Sequence, residues 1–199
     1  MKLLPVYMRL LCLSLFLLGP TAFGARTIVV DAGHGGHDRG GMPGQKIEEK
    51  GYALDVAKRV ASKLKGAGFH TVMTRNGDYF VSLGQRCAIA KQYKNAVFVS
   101  IHFNSAANKD AYGIETYWSR GSDSASLASA IHKRVLSATG SIDRRVRNRG
   151  FYVIRNNRAP AVLCELGFLT NRYEARKIGR STYRQSLANA VAGAIIQKY

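Results

Sequence analysis

Little in this 199-residue chain is acidic. Twelve Asp and Glu stand against thirty Lys and Arg, for a formal net charge of +18. Cysteine (three), proline (four) and tryptophan (one) are scarce as well. So few cysteines exclude a disulfide scaffold, and a chain of this length can bury a core without one. Four prolines, no low-complexity block and no internal repeat exclude extended and solenoid architectures. With 46% hydrophobic and 21% charged residues, the chain is no disordered basic tail. The expectation is one compact, very basic domain.

Long apolar runs are missing too. The longest, Leu10 to Leu18, is nine residues, against the ~20 needed to cross a bilayer. Lys2 and Arg9 precede or open it, Gly19-Pro20 break it, and small residues lead to Gly24. This pattern predicts a signal peptide over residues 1–24, cut after Gly24, with the working domain over 25–199 and no stable membrane anchor. The leader takes two positive charges and no acids, leaving +16 of the +18. An exported basic chain meets anionic envelope polymers before nucleic acid, so the charge points to such a polymer and to no nucleic-acid partner. A periplasm fits best; a cell wall or extracellular location follows if the envelope has no outer membrane. Cys87 and Cys164 lie in apolar stretches and read as buried free thiols, a disulfide being the alternative.

Past the leader, strand and helix patterns alternate. Thr27–Val30, Phe69–Thr74, Ala96–Ile101, Gly113–Trp118, Phe151–Ile154 and Ala161–Cys164 read as strands. The fourth alternates Ile114, Thr116 and Trp118 against Glu115 and Tyr117, as a less buried strand would. Glu49–Lys65, Leu83–Tyr93, Ser124–Thr139 (with Ser124 as N-cap) and Ser181–Tyr199 read as helices. The densest charge, around Arg144, Arg145, Arg147 and Arg149, is a basic patch whose plain reading is a solvated loop. Such alternation predicts a single α/β domain with a mostly parallel central sheet flanked by helices on both faces.

Sheets of this kind bind ligands at the carboxyl ends of their strands. His34 follows the first strand, His102 and Asn104 follow Ile101, Glu165 follows Cys164, and Glu49 opens the first helix. Two His and one Glu form a donor set used by catalytic zinc sites, though a lone His beside glycines is more often a loop residue than a ligand. Glu48 competes with Glu49, but a helix turns adjacent side chains about 100° apart, so only one can face the site.

Four motifs in order carry a resemblance: Val30-Asp31-Ala32-Gly33-His34-Gly35-Gly36-His37-Asp38; Glu49-Lys50; Ser100-Ile101-His102-Phe103-Asn104; and Pro160 to Asn171 around Cys164-Glu165-Leu166-Gly167-Phe168. From about Thr27 to Tyr199 the chain resembles the zinc-dependent N-acetylmuramoyl-L-alanine amidases of the amidase-3 family. The resemblance implies a peptidoglycan hydrolase that uses zinc (Zn2+), with His34, Glu49 and His102 as metal ligands and Glu165 as catalytic group. It implies a cleavage between N-acetylmuramic acid and the L-alanine of the stem peptide. A catalytically silent relative that binds wall or activates another hydrolase is the alternative.

Around these, Asp31 stands either as a strand-end cap or as an acceptor orienting a ligand histidine. Arg86 is read as structural rather than substrate-facing, and Cys164 as core rather than nucleophile. His132 reads as a surface or satisfied core residue. Asn104, Arg147 and Arg149 are candidates for substrate contact, the arginines through carboxylates of the stem peptide or anionic wall polymer. The chain departs from the family at Ala32, where proline is usual, and at Arg145, where glycine is favoured. Only a few residues separate Trp118 from the following helix, where some relatives insert a helix over the site, so an open cleft is expected. No wall-binding repeat accompanies these motifs, so targeting is expected from the domain, its charge or another protein.

Overall fold

The structure, a computed structural model, describes residues 26–199. The leader read over residues 1–24 lies outside the described residues. Among those described, no helix is long and apolar enough to cross a membrane.

Six strands form one sheet: β1 (Thr27–Ala32), β2 (His70–Met73), β3 (Ala96–Asn104), β4 (Ile114–Trp118), β5 (Asp143–Asn148) and β6 (Ala161–Phe168), in the order β2-β1-β3-β6-β4-β5. The helices are α1 (Glu49–Gly66), α2 (Leu83–Lys91), α3 (Ser122–Thr139), α4 (Tyr152–Arg155), α5 (Arg172–Gly179) and α6 (Ser181–Lys198). Strands β2, β1, β3 and β6 are parallel, β4 runs antiparallel to β6, and β5 is parallel to β4.

Every residue of β1 is buried, which requires cover on both faces. Ile28, Val30, Val97, Val99, Val162 and Cys164 face a thick layer from α1, α3 and α6, including Val60, Leu64, Leu127, Ile131, Leu187 and Val191. The alternate residues Val29, Phe98, Leu163 and Tyr117 face a thinner layer with Cys87 and Ala90 of α2 and Val153 and Ile154 of α4. Cys87 and Cys164 are free and buried, and they lie on opposite sides of the sheet. The mostly parallel α/β domain with helices on both faces is therefore what the sequence pattern predicted.

Several local expectations are corrected. Phe151–Ile154 is not a strand; Tyr152–Arg155 is one helical turn that seats Val153 and Ile154 against α2. A four-residue apolar run carries no period that separates the two states. The place beside β4 belongs instead to Asp143–Asn148, read from sequence as a basic connecting segment. Its charge suits an edge strand, where exposed cations discourage further pairing. Ser124 does not cap α3, which starts at Ser122 after Gly121; its hydroxyl accepts from the Ala161 amide at 3.0 Å. Helix α5, capped by Asn171, carried no sequence expectation. In β4 both faces are buried, Glu115 included.

Candidate active site

The parallel strands β1, β3 and β6 are neighbours, so their carboxyl ends form one rim. His34 follows β1 in a glycine-rich loop and takes φ 61°, a left-handed conformation uncommon for a residue with a Cβ. The loop is held there by cations donating to its carbonyls, two of them buried (Arg75 and Arg86). Arg75 donates to Ala32 and Gly33, Arg86 to Ala32 and His34, and Lys50 to Gly36. Arg75 is a residue that sequence reasoning missed. Its one signal is position, just past the carboxyl end of β2, the strand beside β1.

The structure brings His34, Glu49 and His102 together, with one ligand-type atom of each within 4.8 Å of the others. Glu49 opens α1 and is buried; Glu48 turns away to Arg39 and Lys50. His34 Nε2 lies 3.1 Å from Glu49 Oε2, and His102 Nδ1 lies 2.9 Å from Glu49 Oε1. The Phe103 amide donates to Oε1 at 2.9 Å, which fixes the carboxylate. On its far side His34 Nδ1 meets Asp38 at 2.9 Å, a contact that sets the tautomer and aims Nε2 inward. Gly33 packs so tightly that an added Cβ would lie 2.3 Å from the His102 ring.

Burial opposes ionisation of Glu49, but hydrogen bonds from His102 and His34 outweigh it and bring the carboxyl down to about 2. Burial likewise works against a proton on His34, yet Glu49 and then Asp38 raise its pKa above 6.5. The donor set fits zinc on chemistry and spacing. Zinc takes imidazole nitrogen and carboxylate oxygen at about 2.0–2.2 Å in a tetrahedron, whose edges are then roughly 3.3 Å. The His34–Glu49 separation of 3.1 Å is close to that edge.

Glu165 sits in β6 in register with His102 of β3 on one side and Glu115 of β4 on the other. Burial, then the charges of Glu49 and Glu115, push its carboxyl well above the usual range. Its Oε2 is buried with no hydrogen-bond partner among the described residues. Cys164 faces the opposite layer, and burial followed by Glu165's charge raises its thiol pKa, so it is no thiolate nucleophile.

Glu115 was missed because β4 looked half exposed and its antiparallel course is not written in its residues. That course places the amino end of β4 at the catalytic rim. Glu115 Oε2 accepts from Asn104 Nδ2 at 2.7 Å and Tyr117 at 2.8 Å, and Oε1 faces Arg144 at 3.3 Å and Arg147 at 4.0 Å. Asn104 thus supports Glu115 directly. The Arg149 side chain is exposed. Among the described residues Asp31 hydrogen-bonds no histidine; it accepts from Thr74, Ser100 and Arg86, and Arg86 links it to the His34 carbonyl. His132 is buried and satisfied by Thr116 and Asp143.

Comparison with known proteins identifies the family. The family profile described as N-acetylmuramoyl-L-alanine amidase (amidase-3) matches residues 28–197. YqiI of Bacillus subtilis is 40% identical over 177 residues, covering 87% of this chain and 85% of that protein. The N-acetylmuramoyl-L-alanine amidase LytC of Bacillus subtilis is 35% identical over 176 residues, covering 87% of this chain but 35% of LytC. Among solved structures, the catalytic domain of CwlV, an N-acetylmuramoyl-L-alanine amidase from Bacillus (Paenibacillus) polymyxa var. colistinus, superposes with a TM-score of 0.82 at 38% identity. That match covers 87% of this chain and 97% of the other. The chain belongs to the amidase-3 family of N-acetylmuramoyl-L-alanine amidases.

Proposed function

We propose that this chain is a zinc-dependent peptidoglycan hydrolase that cleaves the amide between the lactyl group of N-acetylmuramic acid and L-alanine. One observation carries the reading: His34, Glu49 and His102 converge on one point, and the register-adjacent Glu165 presents a buried carboxyl oxygen without a partner. His34, Glu49 and His102 would hold zinc, which would supply Lewis acidity toward water and the amide carbonyl.

The protein's own groups do the rest. Glu165 accepts a proton from the attacking water on one carboxylate oxygen and returns it to the leaving α-amine of L-alanine. Burial and the neighbouring carboxylates Glu49 and Glu115 raise its pKa, the direction that suits a group which must give back the proton it takes. Asp38 holds His34 with Nε2 inward, and Phe103 N–H holds Glu49.

A cavity of about 310 Å3 beside His34 and His102 is bounded by Phe80, Leu83, Phe151 and Tyr152, all substantially exposed. This apolar wall suits the face of a sugar ring. Arg144 and Arg147, beside Glu115, suit the carboxylates of a stem peptide, as does the exposed Arg149. Only Ser119 to Gly121 join β4 to α3, too few to fold over the cleft. With the leader read over residues 1–24, this reading places the enzyme in the envelope, where its positive charge also suits anionic wall polymer. The alternative, a silent wall-binding relative, lacks support from a site that keeps all four residues.

Digestion of purified sacculi tests this reading. The expected result is zinc-restored release, after chelation, of stem peptides with a free L-alanine amine. Release of sugar fragments or of crosslink cleavage products instead would overturn it.

A further inference from the structure

The amino ends of β1, β3 and β6, at the opposite pole from His34 and His102, border a second cavity of about 600 Å3. Three chain segments meet there: Arg26 before β1, Lys91 at the end of α2 with Lys94 just past it, and Asn157 with Arg158 before β6. Four cations face it and one acid, Asp123 of α3. Among the described residues none of these four cations makes an ion pair. Arg59, Arg86 and Arg184, by contrast, find carboxylates; with 30 cations against 12 acids many cations stay unpaired, so their clustering in one cavity is the observation.

A second observation points to a ligand. Asn157 is 2% exposed and lines the same cavity. Its Oδ1 accepts from the Ala159 amide at 3.4 Å, while its Nδ2 is buried with no partner among the described residues. Native interiors seldom leave such a donor unmade. Arg26 is held in position with its guanidinium carbon 4.4 Å over the Tyr199 ring. The site therefore offers fixed and flexible donors, an orphaned amide among them, and almost no acceptor.

We infer that this cavity binds the phosphate groups of an anionic polymer. Donors arrive from three directions, and a tetrahedral phosphate offers acceptor oxygens on all sides, whereas a carboxylate accepts within one plane. A chain of phosphodiesters can also meet several cations at once, as a lone anion cannot. Strand β3, nine residues long, sets the two poles roughly 30 Å apart. An occupied pole would therefore tether the domain without covering its cleft. The tethering role rests on the amidase reading; the binding does not.

Titrations of the full mature chain with inorganic phosphate, long-chain polyphosphate and phosphatidylglycerol vesicles test the inference. Polyphosphate should bind saturably and be displaced by inorganic phosphate, and binding should shift the Asn157 side-chain amide resonance. Lys94→Ser with Arg158→Ser should weaken polyphosphate binding by about tenfold or more with unchanged melting. Lys58→Ser with Lys63→Ser removes the same charge elsewhere and should leave binding intact. Equal loss in both pairs, or a static Asn157 resonance, would show diffuse attraction and overturn the site. Binding to vesicles without binding to polyphosphate would overturn the polymer as ligand. Failure of the sacculus digestion would leave these readouts untouched, so the two proposals fail separately.

Discussion

Arg86 Nη1 lies 2.7 Å from Asp31 Oδ1 in a fully buried pair, and the same guanidinium donates to the Ala32 and His34 carbonyls. The pair therefore joins the end of β1 to the loop that presents His34. Removing one partner leaves a buried charge uncompensated, so Arg86→Met should cost about 3–5 kcal/mol. Adding Asp31→Asn should recover part of that loss, because Thr74 and Ser100 still serve the amide. Urea unfolding of the two variants checks this; a single variant as stable as the parent would refute the role given to the pair.

Gly33 is constrained by space alone. A Cβ there would meet His102 Cε1 at 2.3 Å, so Gly33→Ala must displace the ring. Zinc affinity should fall on the order of 10–100-fold, as when a ligand loses its orientation, while the far-ultraviolet spectrum stays the same. Competition with a chelating dye reads the change, and unaltered affinity would mean that His102 can shift freely.

Arg145 stands at φ 84° where β5 bulges, with Arg144 and Arg145 together opposing Glu115. A left-handed residue with a Cβ costs roughly 1–2 kcal/mol, and glycine gives back roughly 0.5–1 through its freer unfolded chain. Arg145→Gly should stabilise the domain by about 0.5–1 kcal/mol in a denaturant titration. Arg145→Ala, which keeps the strain, should not.

Protonation of His34 should report its neighbours. In chelator-treated protein its pKa lies above 6.5, because Glu49 and Asp38 together outweigh burial. The stabilisation from this linkage is fully present below pH 6.5 and is lost as pH rises through the folded value. Asp38→Asn removes one partner, so a ring-proton titration should move toward 6.5 and the fall of stability above pH 6.5 should become shallower. An unchanged titration curve would show that the Asp38 contact does not govern the tautomer.

The frame of this fold was legible because its cues are local. Val29 to Val30 leads into Asp31 and glycines, Ala96 to Ile101 leads into His102, and α1 carries its apolar residues at helical spacing. Each marks the end of a buried strand or a face of a helix, and parallel neighbours bring such ends together. What escaped depends on partners distant in sequence. Nothing in Ile114 to Trp118 says that β4 runs backwards, so Glu115 passed for an outward residue. Arg75 has no period, only a place beside β1. The Arg144 stretch reads as a polar connection until an edge position beside β4 gives its charges a use, and Val153 and Ile154 lack the length that distinguishes a strand from one helical turn.

The account turns on Glu165. The most direct measurement is the rate at which Glu165→Gln, loaded with one zinc per chain, releases stem peptides from sacculi. The account predicts a loss of about 100- to 10,000-fold, the range for removing a general acid–base group, with zinc content and melting temperature retained. A zinc-loaded Glu165→Gln protein that digests sacculi at the parental rate would contradict it.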